Sequence, residues 1–268
     1  MKTFRMIGMA LFAVLMCVNF AACSSSDDDE PEVDNESGVV TNGKKLVEIK
    51  EVDDDGWFDV YSLSYDSKGR LISIVGKESD SNSNDIISFT WGENTIIESY
   101  GTESITYSLT DNLIRKVKET DGCNSTFAYN SSKQLTDNTH THSYGETSSQ
   151  TYSWQGGKLV GMTYNDEYDN EKVTITYGNK TCKGFFPLAG FLVEDDYRLL
   201  LAHPELVGLR FTNLPSKIET TGEDYSYTET CSYTFDDDGY LESMTVEEVE
   251  VYSGETYTEV SVYNFKWE

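Results

Sequence analysis

The stretch Tyr65-Asp66-Ser67-Lys68-Gly69-Arg70-Leu71-Ile72-Ser73-Ile74 decides the fold, because it holds a complete turn between two strands. An aromatic residue ends one strand, a polar turn with Asp and Gly follows, and a Leu opens the next strand. Asp at the first turn position accepts a backbone N–H two residues later, and Gly supplies the positive φ that closes a short hairpin. The aromatic and aliphatic side chains can then face each other across the two strands.

The same unit recurs along the chain. Residues 235–244 repeat it closely, as Phe-Asp-Asp-Asp-Gly-Tyr-Leu-Glu-Ser-Met. Successive anchors lie 18 to 26 residues apart, which leaves room for two strands in each repeat, and the flanking sequence alternates polar with β-branched or aromatic residues. The pattern predicts an antiparallel meander of consecutive hairpins. Looser copies of the unit lie at 91–96, 109–114, 129–135, 154–159 and 177–180.

A meander of this length must protect its edges, since a large twisted sheet curls, splits or closes. We predict an all-β fold: a curled or closed, barrel-like antiparallel sheet of about 14–16 strands, with a β-sandwich as the alternative. The repeat stops at 188–210, where apolar residues are too dense for a free loop and Pro204 ends a helix at His203. This segment predicts one helix at about 189–202 that covers an open end of the sheet or plugs the barrel.

The N-terminus predicts a membrane anchor. Lys2 and Arg5 precede an apolar run at 6–20, and small residues lead to Cys23, so residues 1–22 resemble a bacterial lipoprotein signal peptide. The apolar run is shorter than the roughly 20 residues that a transmembrane helix needs. Lipidation of the Cys23 thiol would tether the chain to the membrane, because more than one acyl chain gives stable anchoring.

The residues after the predicted lipidation site form an acidic tether in our interpretation. Residues 23–43 are rich in Ser, Asp and Glu and are expected to be disordered. Ser and acid clusters at this position resemble the export signal of surface lipoproteins in Bacteroidota. That resemblance implies the outer membrane, with the cell surface favoured over the periplasmic face. Residues 44–268 form the predicted β-meander domain.

The composition argues against nucleic acid as a partner and does not decide whether the cysteines form a disulfide. The net charge of −27 argues against nucleic acid, whose phosphates would be repelled. Three cysteines lie in the predicted domain: Cys123, Cys182 and Cys231. The cell envelope permits disulfides, but an odd number leaves at least one thiol unpaired, and the sequence does not choose a pair.

Few residues suggest chemistry. His140 and His142 lie on one side of a predicted strand, a spacing that metals can use, but His203 or an Asp would have to supply a third ligand. The acidic stretches 53–56 and 236–239 have turn patterns and lack the alternating ligands and final bidentate acid of a calcium loop. No nucleophile or phosphate-binding motif occurs in the sequence. We therefore predict no catalytic residues, no metal site and no cofactor.

Several aromatic residues share a strand parity near the C-terminus. They form either an outward surface on which sugars or proteins stack, or part of a curved core. These residues are Tyr225 and Tyr227 in one strand, and Tyr257, Tyr263, Phe265 and Trp267 in another.

Three features together resemble a known family. They are the lipoprotein signal with its acidic spacer, the hairpin at 65–74, and the segment 214–240 with Leu-Pro-Ser-Lys-Ile and Phe-Asp-Asp-Asp-Gly-Tyr. This combination resembles the Bacteroidota lipoproteins of unknown function that have a porin-like antiparallel β fold. The hairpins are also similar, more weakly, to the Tyr-Asp repeats of Rhs-type shell proteins. The family implies a fold and a location, and no catalytic residues.

The sequence predicts a membrane-anchored lipoprotein whose β domain is a non-catalytic binding or interaction module. The predicted partner is a glycan or an envelope protein, with no nucleic acid. One alternative is a polysaccharide hydrolase that uses a carboxylate pair. The other is a structural envelope protein.

Overall fold

The structure is a computed structural model that describes residues 14–15, 43–79, 81, 83–167, 169–193, 197–211 and 213–268. The predicted signal peptide lies outside the described residues apart from Val14–Leu15. The predicted tether, with the lipidation site Cys23, lies outside them apart from Gly43. Among the described residues, no helix is long and apolar enough to cross a membrane.

Nearly all of the regular structure is antiparallel β-sheet. The short strand β1 (Val14–Leu15) lies beside β14, with Val14 opposite Ile218. The others are β2 (Leu46–Asp53), β3 (Phe58–Tyr65), β4 (Leu71–Glu78), β5 (Asp85–Trp91), β6 (Thr95–Tyr100), β7 (Glu103–Thr110), β8 (Leu113–Glu119), β9 (Asn124–Tyr129), β10 (Leu135–Thr141), β11 (Thr147–Gln155), β12 (Lys158–Asn165), β13 (Asn170–Tyr177), β14 (Pro215–Thr221), β15 (Tyr225–Phe235), β16 (Leu241–Tyr252) and β17 (Glu255–Trp267).

Strands β2 to β17 close into a barrel. Each pairs antiparallel with the next in sequence, and β17 pairs with β2 through contacts such as Phe265 opposite Ile49. Within the described residues this gives 16 barrel strands, the upper end of the predicted number. Closure confirms the barrel and excludes the sandwich, and it removes every exposed strand edge.

Successive connections alternate between the two ends of the barrel. We call one the plugged end; it carries the connections β3–β4, β5–β6, β7–β8, β9–β10, β11–β12, β13–β14 and β15–β16. The opposite end, the open end, carries β2–β3 and the other even-to-odd connections. The recurring sequence unit lies at the plugged end every time.

The predicted turn chemistry is confirmed. Asp66 Oδ1 accepts the backbone N–H of Lys68 at 2.9 Å and of Arg70 at 3.0 Å, while Gly69 has φ +80°. Asp236 Oδ1 accepts the equivalent pair of N–H groups at 3.0 and 2.9 Å. The side chain thus replaces backbone hydrogen bonds that the turn cannot make, as the spacing in the sequence indicates.

The aromatic anchors also join each hairpin to the preceding one. Trp91 Nε1–H donates to the carbonyl oxygen of Leu71 at 2.7 Å, and Leu71 is the residue that opens the previous hairpin unit. Leu109 and Phe235 hold the anchor position in their copies and have no side-chain donor for such a bond, but Tyr233, two residues before Phe235, makes one. The residues that donate in this way in the described chain are Tyr65, Trp91, Tyr129, Trp154, Tyr177, Tyr233 and Trp267.

Beside the plug, apolar side chains point into the barrel, and Ser and Thr are frequent among the outward side chains. Leu63 and Ile74 are register partners that are both buried, whereas their outward neighbours Ser62 and Ile72 are exposed. In β15 the outward positions are Ser226, Thr228, Thr230, Ser232 and Thr234. A transmembrane barrel has the reverse arrangement, with an apolar outer band.

The connection between β13 and β14, residues 178–214, fills the plugged end. It contains three short 3₁₀ helices, η1 (Pro187–Leu192), η2 (Arg198–Leu201) and η3 (Pro204–Val207). We call this segment the plug. Its position inside the barrel confirms the plug prediction: Tyr197 packs edge-on to Tyr107 of the wall, with ring centroids 5.7 Å apart.

The single helix predicted at 189–202 is wrong, because the segment makes 3₁₀ turns instead. A surface helix buries one stripe of side chains, whereas the barrel wall surrounds the plug, so Leu199, Leu200 and Leu201 are all buried. Gly190 lies so close to Leu200 that an added Cβ would be 2.5 Å from Leu200 Cβ. Packing of this kind overrides helix propensity.

Candidate binding chamber at the open end

The plug fills only part of the barrel, and a cavity of about 490 Å³ lies on the side of the open end. We call this cavity the chamber. Its wall comes from inward-facing residues of β3 to β8, and Arg198 of the plug also lines it. Its volume is within the roughly 300–1,000 Å³ that small-molecule sites have.

The chamber lining is strongly acidic. Seven carboxylates line the chamber together with the guanidinium of Arg198, whereas Lys77 lies opposite Val60 and its exposed side chain points outward. The chamber therefore has a negative potential that its apolar walls concentrate. The rings and aliphatic chains of Tyr61, Ile87 and Ile105 provide those walls. The seven acidic residues are Asp59, Glu78, Asp85, Glu98, Glu103, Glu119 and Asp121.

Tyrosine hydroxyls hold two of these carboxylates in place. Tyr107, fully buried, donates its O–H to Glu98 Oε2 at 2.6 Å, and Tyr100 donates to Asp85 Oδ1 at 2.8 Å. Burial and the Glu98 carboxylate raise the pKa of Tyr107, so its hydroxyl keeps its proton. Both acids are therefore positioned before any ligand enters.

A second group of acids lies inside the barrel but does not line the chamber. Glu229 and Glu248 are register partners on β15 and β16, and Glu229 is 0% exposed. Burial is the main cause that raises the pKa of both groups, to about 7 for Glu248. Glu51 accepts the Tyr263 hydroxyl at 2.6 Å, and burial raises its pKa as well.

The structure separates the three histidines into two places. His140 and His142 lie near the open end, with ring centroids 4.6 Å apart, as their spacing predicts. His203 lies in the plug, where its Nε2 accepts the backbone N–H of Leu71 at 3.2 Å and its Nδ1 is 3.1 Å from Glu205 Oε1. It is therefore not a third ligand beside the other two.

The acidic stretches act as turns, as predicted. Asp53 Oδ1 accepts the backbone N–H of Trp57 at 2.7 Å. In the other stretch, Lys44 Nζ lies 2.7 Å from Asp236 Oδ2 and 2.6 Å from Asp238 Oδ2. An ammonium group thus already neutralises the carboxylates that a calcium ion would need.

The aromatic residues with shared parity point inward. Tyr263 and Phe265 are 3% and 6% exposed and belong to the core. Tyr257, near the open end, is 52% exposed, and Tyr225 donates its hydroxyl to Asp169 Oδ2. Of the two interpretations left open by the sequence, the structure favours the curved core over an outward stacking surface.

No disulfide joins Cys123, Cys182 and Cys231 in the part of the chain that the structure describes. Cys123 and Cys231 are buried in the barrel, and Cys182 is half-buried in the plug.

Comparison with known proteins supports the fold. No family model and no curated protein matches this chain. A porin-like protein from Bacteroides uniformis ATCC 8492 has a similar structure, with a TM-score of 0.66 and 18% identity over 83% of this chain and 98% of that chain. A porin-like protein from Bacteroides vulgatus ATCC 8482 has a TM-score of 0.54 and 13% identity over 84% and 99% of the two chains. The predicted porin-like antiparallel β fold is confirmed.

Proposed function

We propose that this protein is a lipid-anchored, non-catalytic binding module of the cell envelope, and that its chamber binds a small organic cation. The observation that carries the proposal is a chamber with seven carboxylates around apolar walls. Carboxylates bind ammonium groups through charge-assisted hydrogen bonds. The side chains of Tyr61, Ile87 and Ile105 offer contacts for the hydrocarbon part of such a ligand.

The outer face supports a tethered barrel rather than an inserted one. A barrel that spans a bilayer needs outward apolar side chains and a polar lumen. Here the outward positions of β15 are Ser and Thr, and the interior around the plug is apolar, although acids line the chamber. An acyl anchor at Cys23 would hold such a barrel at the membrane, and the acidic spacer favours the cell surface.

The chamber also narrows the predicted partners. The seven carboxylates would repel a glycan that carries uronic acids and would favour one that carries amino groups. Hydrolysis of a polysaccharide needs two carboxyl groups that flank the bond and have separate pKa values. Glu229 and Glu248, whose pKa values burial raises, lie away from the chamber and do not form such a pair in it.

We predict that 1,8-diaminooctane binds this protein and that 1,8-octanediol, which has the same carbon chain and no charge, does not. Isothermal titration calorimetry of both compounds at low salt measures the difference. A double variant Glu78→Gln and Glu119→Gln removes one carboxylate from β4 and one from β8, and it is expected to weaken diamine binding about tenfold or more.

Glu247→Gln is the control, since it removes one negative charge from an exposed outward position of β16. The diamine affinity of this variant is expected to equal that of the unmodified protein. Equal binding of diamine and diol, or diamine binding that the double variant leaves unchanged, would contradict the proposal.

A further inference from the structure

Three metal-binding side chains converge beside the chamber. The ligand atoms of Cys123, His140 and His142 all lie within 4.8 Å of one another. Cys123 immediately precedes β9, His140 lies in β10, and the register places His140 opposite Ser125. The pairing of β9 with β10 therefore joins a thiol to two imidazoles that are remote from it in sequence.

Hydrogen bonds and ring packing fix the orientation of both imidazoles. His140 Nδ1 is 2.9 Å from Ser125 Oγ, and Ser125 Oγ is 2.8 Å from the hydroxyl of Tyr197 in the plug. A hydrogen-bonded group of this kind orients most metal-binding histidines. The His142 ring stacks on Tyr144 at 5.1 Å, with 7° between the planes.

The Cys123 thiol has a neighbouring carboxylate as its hydrogen-bond partner. Cys123 Sγ–H donates to Asp121 Oδ2 at 3.2 Å, and Cys123 is only 8% exposed. A divalent cation would displace that proton and attract both the thiolate and the carboxylate.

We propose that Cys123, His140 and His142 bind one Zn²⁺ ion, with water at the fourth position. Sulfur and imidazole nitrogen are ligands that Zn²⁺ takes in tetrahedral sites, whereas Ca²⁺ and Mg²⁺ prefer oxygen alone. Binding forms the zinc–sulfur bond, and the thiol proton leaves to solvent. The proposed zinc site differs from the prediction made from the sequence, which was that the protein has no metal site.

The zinc site is independent of cation binding in the chamber, although Asp121 belongs to both surroundings. Its test uses the purified protein after treatment with a chelator, with Co²⁺ as a spectroscopic probe and Zn²⁺ as competitor. We expect one equivalent of Co²⁺ to produce a thiolate-to-cobalt charge-transfer band, which Zn²⁺ then removes. Carboxylates elsewhere on this acidic chain cannot produce that band.

Three variants decide which residues bind. Cys123→Ser is nearly isosteric and is expected to abolish the band, and His142→Gln is expected to weaken Co²⁺ binding at least tenfold. Cys182→Ser removes the half-buried thiol of the plug and is expected to change neither. Absence of the band in the unmodified protein, or a band of unchanged strength in Cys123→Ser, would overturn the proposal.

Discussion

Leu200→Ala is expected to lower the free energy of unfolding by about 3 kcal/mol, within the range that buried Leu→Ala changes give. Leu200 is 0% exposed, and the backbone of Gly190 packs against it, so the plug cannot collapse easily into the space left by the lost atoms. Urea denaturation measures the effect as a lower midpoint with an unchanged slope.

Ile86→Ala is the control for this change. Ile86 is also an aliphatic residue, but it is 61% exposed on the outward face of β5. Its replacement is expected to change the free energy of unfolding by less than about 0.5 kcal/mol. If both variants lose the same stability, Leu200 is not enclosed by the barrel and the plug is placed wrongly.

Glu248→Gln is expected to stabilise the protein by up to about 3 kcal/mol at pH 8 and by little at pH 4.5. Burial raises the pKa of Glu248 from 4.5 to about 7 in the folded protein. A carboxyl group with a raised pKa opposes folding once it must ionise, so stability is lost as pH rises from about 4.5 to about 7. Gln keeps the shape of the side chain and never ionises.

The neighbour Glu229 strengthens this expectation. It faces Glu248 across the strands, and its own pKa is raised by burial and by the Glu248 charge, so the variant relieves both groups. Glu247→Gln, one residue earlier and outward, removes equal charge without burial. Urea denaturation of the two variants at pH 5 and pH 8 isolates the interior effect; equal pH dependence in both would show that Glu248 is not buried.

The hairpins were predictable from sequence because their signals are local. The turn at 65–71 contains its own aromatic anchor, its Asp acceptor and its Gly, and all three act as the spacing indicates. The number of hairpins requires the sheet to curl, split or close, but it does not choose the closed barrel over the sandwich. Strand parity was also informative. Cys231 points inward and lies opposite Val246 of β16, so alternation along β16 places Glu248 inside and Glu247 outside.

The plug conformation and the chamber depend on contacts that no local pattern records. An apolar run at 189–202 suggests a helix that buries one stripe of apolar side chains. Because the barrel wall surrounds the plug, apolar side chains are buried on every side, and a helix has no advantage over 3₁₀ turns. The acids of the chamber come from six strands and the plug contributes Arg198, so no motif joins them. Cys123 meets His140 only through the register of β9 and β10.

We propose that this barrel lies outside the bilayer and that an acyl anchor alone holds it at the membrane. Replacing residues 1–23 with a secretory signal peptide that is fully removed on export gives the same chain without an acyl anchor. We expect the chain without the anchor to be recovered in the aqueous fraction without detergent, with the same β-sheet circular dichroism spectrum as the anchored form. Recovery of the folded barrel only from membranes, and only with detergent, would contradict it.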